Sequence, residues 1–65
     1  MLNSQIEVGH IYHHEIFEKV KIMEEISHDW DYFSREGKGV WRAFQYNSGK
    51  TVLCINAQYF DYEFQ

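Results

Sequence analysis

The stretch 40–55, VWRAFQYNSGKTVLCI, constrains the fold of this chain more than any other segment. Two runs rich in β-branched and aromatic residues flank the four residues 47–50, and such runs are typical of paired strands. A glycine at the centre of a short loop tolerates the positive φ that a tight hairpin turn requires. The stretch therefore predicts a β-hairpin whose turn is centred on Ser48 and Gly49.

A turn at that position also predicts a register, because side chains alternate between the two faces of a hairpin. The predicted cross-strand partners are Phe44 with Leu53, Arg42 with Ile55, and Tyr46 with Thr51. The opposite face then carries Trp41, Ala43, Gln45, Val52 and Cys54. Since both faces are largely apolar, the hairpin resembles one in the middle of a small barrel, and Phe44 and Leu53 are expected to form a core pair.

The length of the chain predicts one small domain, residues 1–65. Its 45% hydrophobic and 18% aromatic content is too apolar for a disordered chain. Cys54 is the only cysteine, so an intrachain disulfide is excluded, and a thiol in an apolar run indicates a buried side chain in a reducing compartment. Without a signal-peptide pattern or an apolar run of about 20 residues, the expected location is cytoplasmic.

The net charge of −4 argues against a general duplex-binding protein, which needs cations to displace counterions from phosphate. The charge permits a protein partner with a basic surface. The ten acidic residues could also mimic nucleic-acid phosphates and occupy a DNA-binding protein, a strategy that suits a small phage or mobile-element protein. An ordinary solvated acidic surface is the simpler interpretation, and we prefer it.

Shorter patterns predict the remaining elements. Alternating apolar residues predict a first strand over 6–12 with a bend or bulge at Gly9, since glycine within a strand often marks such a site. Further predictions are a loop from 13, a turn at 27–29, a flexible connection at 36–39, a 3₁₀ turn at 57–60 and a last short strand at 61–65.

The segment 16–27 fits two structures. Val20, Ile22 and Ile26 share one parity, which favours a strand, and Met23 would then face solvent. Ile16, Val20 and Met23 also fall at helical spacing, and the segment is rich in good helix formers. We favour the strand. The alternative is an α+β fold of β-α-β-β order with a helix at about 14–28.

Five short strands with one long early loop and a 3₁₀ turn before the last strand are the layout of an SH3-like barrel. The predicted fold class is therefore mainly β, a small five-stranded SH3-like barrel. Closing the sheet would remove the exposed edges that a flat sheet of this size would have.

Several short motifs resemble bacterial Tudor-like modules. The opening Val8–His14, followed by Phe17 and Val20–Ile22, is similar to their "V-G-D-x-V-x-H" and "F-G-x-G-x-V", and Phe44, Gly49, Lys50 and Leu53 are similar to their later hairpin "V-x-F … G-x-K-x-L". Such modules occur in CarD-type transcription factors, in the transcription-repair coupling factor and at the C-terminus of UvrD-type helicases. The resemblance implies docking on RNA polymerase or another protein through the sheet. His10 replaces the usual Asp and Glu18 stands where a Gly would lie, so the early loop is expected to differ.

The histidines invite a metal site, since imidazole binds zinc and nickel well. His13 and His14 are adjacent and point to opposite sides if extended, and Cys54 is the only thiol. We therefore expect no metal and no other cofactor. A Cys–His nucleophile pair would need an exposed thiolate of low pKa, whereas Cys54 lies in an apolar run, so we expect no catalysis.

The aromatic residues exceed what one small core requires, and such rings are enriched at binding hot spots. The predicted partner-binding residues are Trp30, Tyr32, Trp41 and Tyr59. The expected function is a non-enzymatic protein-binding module, an adaptor or inhibitor aimed at the transcription or nucleic-acid machinery. The alternative is a single-stranded nucleic-acid binder that stacks bases on exposed aromatics, which cations clustered beside those rings would favour.

Overall fold

A computed structural model describes residues 2–31 and 36–61, with only the backbone of Glu36 included. The elements are a 3₁₀ turn at Asn3–Gln5, strands β1 (Ile11–His14), β2 (Glu18–Asp31), β3 (Glu36–Gln45) and β4 (Lys50–Ile55), a second 3₁₀ turn at Ala57–Tyr59, and strand β5 (Phe60–Asp61). The strands form one antiparallel sheet in the order β4-β3-β2-β1-β5. The predicted mainly β class with five strands is confirmed, and so is the 3₁₀ turn before β5.

From Glu18 onward, the segment that fitted both a strand and a helix belongs to strand β2, so the helical alternative is wrong. Val20 and Ile22 are fully buried, whereas Met23 faces solvent as the strand prediction required. The register with β3 shifts between Ile22 and Glu24 and again between Glu25 and Ser27. These irregularities explain the mixed sequence pattern, because an extra residue in one strand breaks strict alternation and bends the strand.

The predicted turn at 27–29 and the predicted loop at 36–39 are both wrong. Residues 27–31 continue β2 and pair with the start of β3, from Ser27 opposite Val40 to Asp31 opposite Glu36. Their polar side chains occupy the solvated positions of a long two-stranded extension. Gly37 has a φ of +115° within that extension, where an added Cβ would meet the carbonyl oxygen of Asp29.

The predicted hairpin is present as β3 and β4, but its register differs by two residues from the predicted one. Phe44 pairs with Thr51 and Arg42 with Leu53, so Leu53 is not opposite Phe44 and is 55% exposed. The Phe44–Leu53 core pair is therefore wrong. Because two is an even number, each side chain keeps its predicted face.

The longer turn explains the shift in register. The turn spans residues 46–49, and the backbone N–H of Gly49 donates to the carbonyl of Gln45 at 2.8 Å. The N–H of Tyr46 bonds to the carbonyl of Lys19 in the preceding strand at 3.0 Å. Tyr46 thus leaves the hairpin ladder for β2, which lengthens the loop from two residues to four.

The core lies on one face of the sheet. Its cluster of buried residues comprises Ile6, Tyr12, Val20, Ile22, Trp41, Ala43, Cys54, Ala57 and Phe60. Trp41 is the largest of them, with its ring edge-on to Phe60 at 6.2 Å and stacked on Trp30 at 5.9 Å. The predicted burial of Cys54 is confirmed.

The N-terminal segment is held over this core by polar contacts. The Tyr12 hydroxyl donates to the carbonyl of Gln5 at 3.2 Å and accepts the N–H of Glu7 at 3.0 Å. The Asn3 side chain donates to the carbonyl of Gly37 and accepts the N–H of Ala57, each at 3.2 Å. The Asn3 amide therefore joins the N-terminus to β3 and to the turn before β5.

The predicted bend at Gly9 is confirmed, although β1 begins only at Ile11. Gly9 has a φ of +92°, and its N–H donates to the carbonyl of Ile22 at 2.8 Å, while the N–H of Ile22 donates to His10 at 3.0 Å. The bend separates Ile6, which packs in the core, from the regular part of the strand.

His14 organises the connection from β1 to β2. It ends β1 instead of starting a loop as predicted, and it is only 2% exposed. Its Nδ1 accepts the backbone N–H groups of Ile16 and Phe17 at 3.0 and 3.1 Å. Glu18 follows with a φ of +64°, a left-handed conformation that glycine adopts at lower cost.

We predict that Gly39→Ala destabilises the fold by about 1–3 kcal/mol, because core overpacking costs energy of that order. A Cβ on Gly39 would lie 2.5 Å from the Trp41 ring and 2.6 Å from that of Trp30. Urea unfolding of both proteins measures the change. Ser27→Ala, at an exposed position opposite Val40, is the control and should leave the midpoint unchanged. An unaltered midpoint for Gly39→Ala would contradict this packing.

We predict that acid weakens the fold through His14. Burial lowers the pKa of His14 below its ordinary value of 6.5, more than the Glu15 carboxylate raises it. Below pH 6.5 the unfolded chain therefore binds more protons than the folded one. The free energy of unfolding then decreases as the pH is lowered, by at most about 1.4 kcal/mol per pH unit. Urea unfolding between about pH 7.5 and pH 5 measures this dependence.

The control for this effect is His14→Gln, which removes the titration and leaves the other three histidines in place. Its free energy of unfolding should depend less steeply on pH than that of the parent protein. Equal pH dependence of the two proteins would show that His14 does not resist protonation in the folded state.

Candidate functional site

The four predicted partner-binding residues do not form one exposed patch. Trp41 is fully buried, so its prediction as an exposed anchor is wrong: its inward position on β3 places the ring in the core. Trp30 and Tyr59 are half-buried, and Tyr32 lies outside the described residues.

The half-buried rings are occupied by contacts within the chain. Trp30 stacks on His28 with ring centroids 3.7 Å apart and on Trp41 at 5.9 Å. Tyr59 lies 6.0 Å from the His14 ring, and its carbonyl accepts the N–H of Glu15 at 2.8 Å. These rings therefore stabilise the two ends of the core and leave little surface for a partner.

Three of the exposed large apolar side chains lie on the opposite face of the β3–β4 hairpin, whereas Val8, Ile16, Met23 and Ile26 are exposed elsewhere. We call the apolar surface of this face the outer patch and define it by Val40, Phe44, Tyr46, Leu53 and Ile55. Leu53 is 55%, Ile55 48% and Tyr46 44% exposed, whereas Val40 and Phe44 are half-buried.

The strands hold the outer patch in a fixed arrangement. Ile55 is directly opposite Val40, and Leu53 lies two pairs further along on the same face, opposite Arg42. Directly paired residues of antiparallel strands bring their Cβ atoms to about 4.5–5.5 Å. At the turn, the Tyr46 ring meets Phe44 edge-on with centroids 5.9 Å apart. The patch is thus built on regular strands instead of a loop.

Strand β4 lies at one edge of the sheet that the structure describes. Natural edge strands are usually protected by charged residues, proline or bulges. Along β4 the only charged residue is Lys50, at its start, and the pairing with β3 runs from Lys50 to Ile55 without a register shift. An edge of this kind can pair with another extended chain.

A recess of about 330 Å³ opens beside the outer patch, lined by Gly9, His10, Ile11, Lys21 and Tyr46. Lys21 lies in β2 between Ile11 of β1 and Phe44 of β3, its cross-strand partners. Ile11 is 9% exposed yet lies outside the core cluster, so it belongs to this second face of the sheet. The side chains of its lining residues include one ammonium, one imidazole and one phenol.

The charges are distributed unevenly over the described chain. Residues 37–56 contain Lys38, Arg42 and Lys50 and no acidic residue, whereas residues 2–31 contain seven acids and two lysines. Arg42 contacts Glu24 across the sheet at 3.2 Å. The hairpin that carries the outer patch is therefore the basic part of an acidic chain.

The histidines do not gather into a metal centre. His10 contacts Glu7 at 3.1 Å, His13 contacts Asp61 at 3.8 Å and His28 contacts Glu25 at 3.2 Å, each a separate pair. No group of three or more potential ligands occurs within residues 2–31 and 36–61. His14 commits its Nδ1 to the backbone.

The sequence contained a signal for the outer patch that the prediction of a central barrel hairpin concealed. Leu53 and Ile55 were expected on a face shared with Arg42, and an arginine on that face indicates solvent. Because the hairpin was placed in the middle of a barrel, both faces were interpreted as buried. The recess depends on a contact between the hairpin turn and β2, which no local pattern encodes.

Comparison with known proteins does not extend this description. Neither a protein-family model, nor a curated protein, nor a solved structure matches the chain. In the part of the chain that the structure describes, no helix has the length and apolar character needed to cross a membrane. The function must be argued from the geometry of the outer patch and of the recess.

We predict that the Cys54 thiol is unreactive in the folded protein. Cys54 is fully buried, and burial raises the pKa of its thiol to about 11, so thiolate is scarce at neutral pH. A colorimetric disulfide reagent should react slowly with the native chain and rapidly in concentrated urea. Equally rapid labelling in both states would contradict the burial of Cys54.

Proposed function

We propose that this chain is a non-enzymatic protein-binding module, an adaptor or inhibitor that holds an extended segment of its partner on the outer patch. The observation that carries the proposal is the half-exposure of three large apolar side chains, Tyr46, Leu53 and Ile55, on one face of an edge hairpin. Apolar patches with polar surroundings are typical of interaction sites.

The energetics of the outer patch support this function. Burying an exposed Leu or Ile side chain supplies about 1.5–3 kcal/mol, and the rings of Tyr46 and Phe44 offer further apolar area. An extended partner segment could add the main-chain hydrogen bonds of a new strand at β4. The regular pairing of β3 with β4 lowers the ordering cost of binding, because this surface is already formed.

The fold that we propose for this module is an SH3-like or Tudor-like barrel. The sheet order β4-β3-β2-β1-β5, the bent β2 and the 3₁₀ turn before β5 support it. Glu18, which stands where the resembled modules carry glycine, has the left-handed φ that glycine favours. By this resemblance we propose RNA polymerase or a nucleic-acid enzyme as the class of target. From the acidic composition and the sequence pattern we also propose a phage or mobile-element origin and a cytoplasmic location.

The same surface raises the alternative of single-stranded nucleic acid. Tyr46 is exposed and shares the recess with Lys21, and aromatic rings beside cations are what such a ligand requires. Two cations of this face lie beside acids, however, since Glu24 contacts Arg42 and Asp29 lies opposite Lys38. A protein segment therefore suits the charge distribution better.

We predict that Leu53→Asp abolishes partner binding without unfolding the domain. The side chain is 55% exposed, so the fold loses little, whereas a carboxylate at the centre of the outer patch must be desolvated on binding. A protein captured from the native host by the parent chain should be lost, and the purified pair should bind at least about tenfold more weakly by calorimetry.

Ile16→Asp is the matched control, because Ile16 is 67% exposed and lies in the β1–β2 connection. This variant should bind the partner as the parent chain does. Equal binding by Leu53→Asp and the parent would show that the outer patch is not the docking surface. Tight binding of single-stranded oligonucleotides at physiological salt would favour the alternative function.

A further inference from the structure

The recess beside the outer patch differs from it in chemistry but shares one residue with it. Tyr46 contacts Phe44 of the patch at 5.9 Å and also lines the recess with Lys21 and His10. The space beside Gly9 is open, since a Cβ built there meets nothing within 4 Å. A segment lying on the patch would therefore reach a polar site at the turn end of the hairpin.

Among the side chains that line this recess, Lys21 carries a positive charge that no described acidic residue neutralises. Among the described residues its ammonium makes no ion pair, whereas the Arg42 guanidinium contacts Glu24 and the His10 ring contacts Glu7 at 3.1 Å. Its cross-strand neighbours, Ile11 and Phe44, are apolar. An unneutralised ammonium between apolar neighbours favours an incoming anion.

We propose that the recess receives one carboxylate of the partner segment, from an Asp or Glu side chain, while apolar side chains of that segment cover the outer patch. This inference rests on the proposed function and adds the chemistry of the partner to it. A carboxylate only accepts hydrogen bonds, and the Lys21 ammonium and the Tyr46 hydroxyl are donors. Charge-assisted contacts of this kind are roughly twice as strong as neutral ones.

The surroundings of the recess select a single carboxylate over a polyanion. Glu7 stands beside His10, and Glu24 lies on the same face of the sheet as Lys21, so further negative charges on a ligand would be repelled. Nucleic-acid binding gains its affinity from neutralising several phosphates. The Lys21 ammonium, which makes no ion pair with the described residues, lies beside an apolar surface and fits an apolar peptide with one acidic residue.

The test is a selection of randomised peptides displayed on phage against the immobilised full chain. The expected winners carry apolar side chains and one Asp or Glu at a fixed position. A synthetic copy of the best peptide, labelled with a fluorophore, is then titrated by polarisation. Replacing its acid by the amide should weaken binding to the parent chain about tenfold, which equals about 1.4 kcal/mol.

The variant Lys21→Gln should bind the acidic peptide more weakly by a similar factor. It should also bind the acid and the amide forms of the peptide with equal affinity. Lys38→Gln is the matched control, because Lys38 lies in the same sheet opposite Asp29, away from the recess. It should retain the full preference for the acid. This double-mutant comparison isolates the contact between the carboxylate and Lys21.

Other results separate this inference from the proposed function. The carboxylate site alone is overturned if the binding of the selected peptides depends on Leu53 but the peptides lack a fixed acid. It is also overturned if Lys21→Gln keeps the parent's preference for the acid over the amide form of the peptide. A selection without enriched peptides, or with peptides that bind Leu53→Asp equally well, overturns both. Stronger binding of oligothymidine than of any peptide at physiological salt also overturns both.

Discussion

The packing of Trp41 against Gly39 and Trp30 is the constraint on which this small fold depends. The Trp41 ring fills the space that a side chain at Gly39 would need, with distances of 2.5–2.6 Å to a built Cβ. The indole N–H of Trp41 is buried without a hydrogen-bond partner among the described residues. That omission costs about 1–3 kcal/mol, comparable to what burying one large apolar side chain supplies. The ring is therefore retained for its volume.

A core built in this way determines which surface remains for binding. The inward positions of β2 and β3 take the largest rings, and His28 extends the stack outward at the end of the sheet. The tryptophans thus serve stability. Cys54 of β4 is buried in the core, and Leu53 and Ile55 stand on either side of it along the strand. Because side chains alternate between the two faces of a strand, Leu53 and Ile55 face solvent. The outer patch follows from that alternation.

Local patterns predicted much of the fold and little of the site. The hairpin, the bend at Gly9, the burial of Cys54 and the 3₁₀ turn each depend on nearby residues, and each is present. The hairpin register depended on Tyr46, whose N–H bonds to Lys19 in another strand. Trp41 was misassigned because sequence content shows an excess of rings but not which face of the sheet receives each ring. Long-range pairing decides both questions.

In the function that we propose, the charge pattern makes the outer patch a selective surface. Exposed leucine and isoleucine on an edge strand would favour indiscriminate pairing, since any extended chain can supply main-chain hydrogen bonds. A net charge of −4 discourages association between copies of the chain. Lys21, without an ion-pair partner among the described residues, adds a requirement that an apolar strand alone does not meet. Affinity then comes from the apolar face and discrimination from a single ammonium, because a partner lacking the acid leaves that charge unpaired beside buried apolar groups.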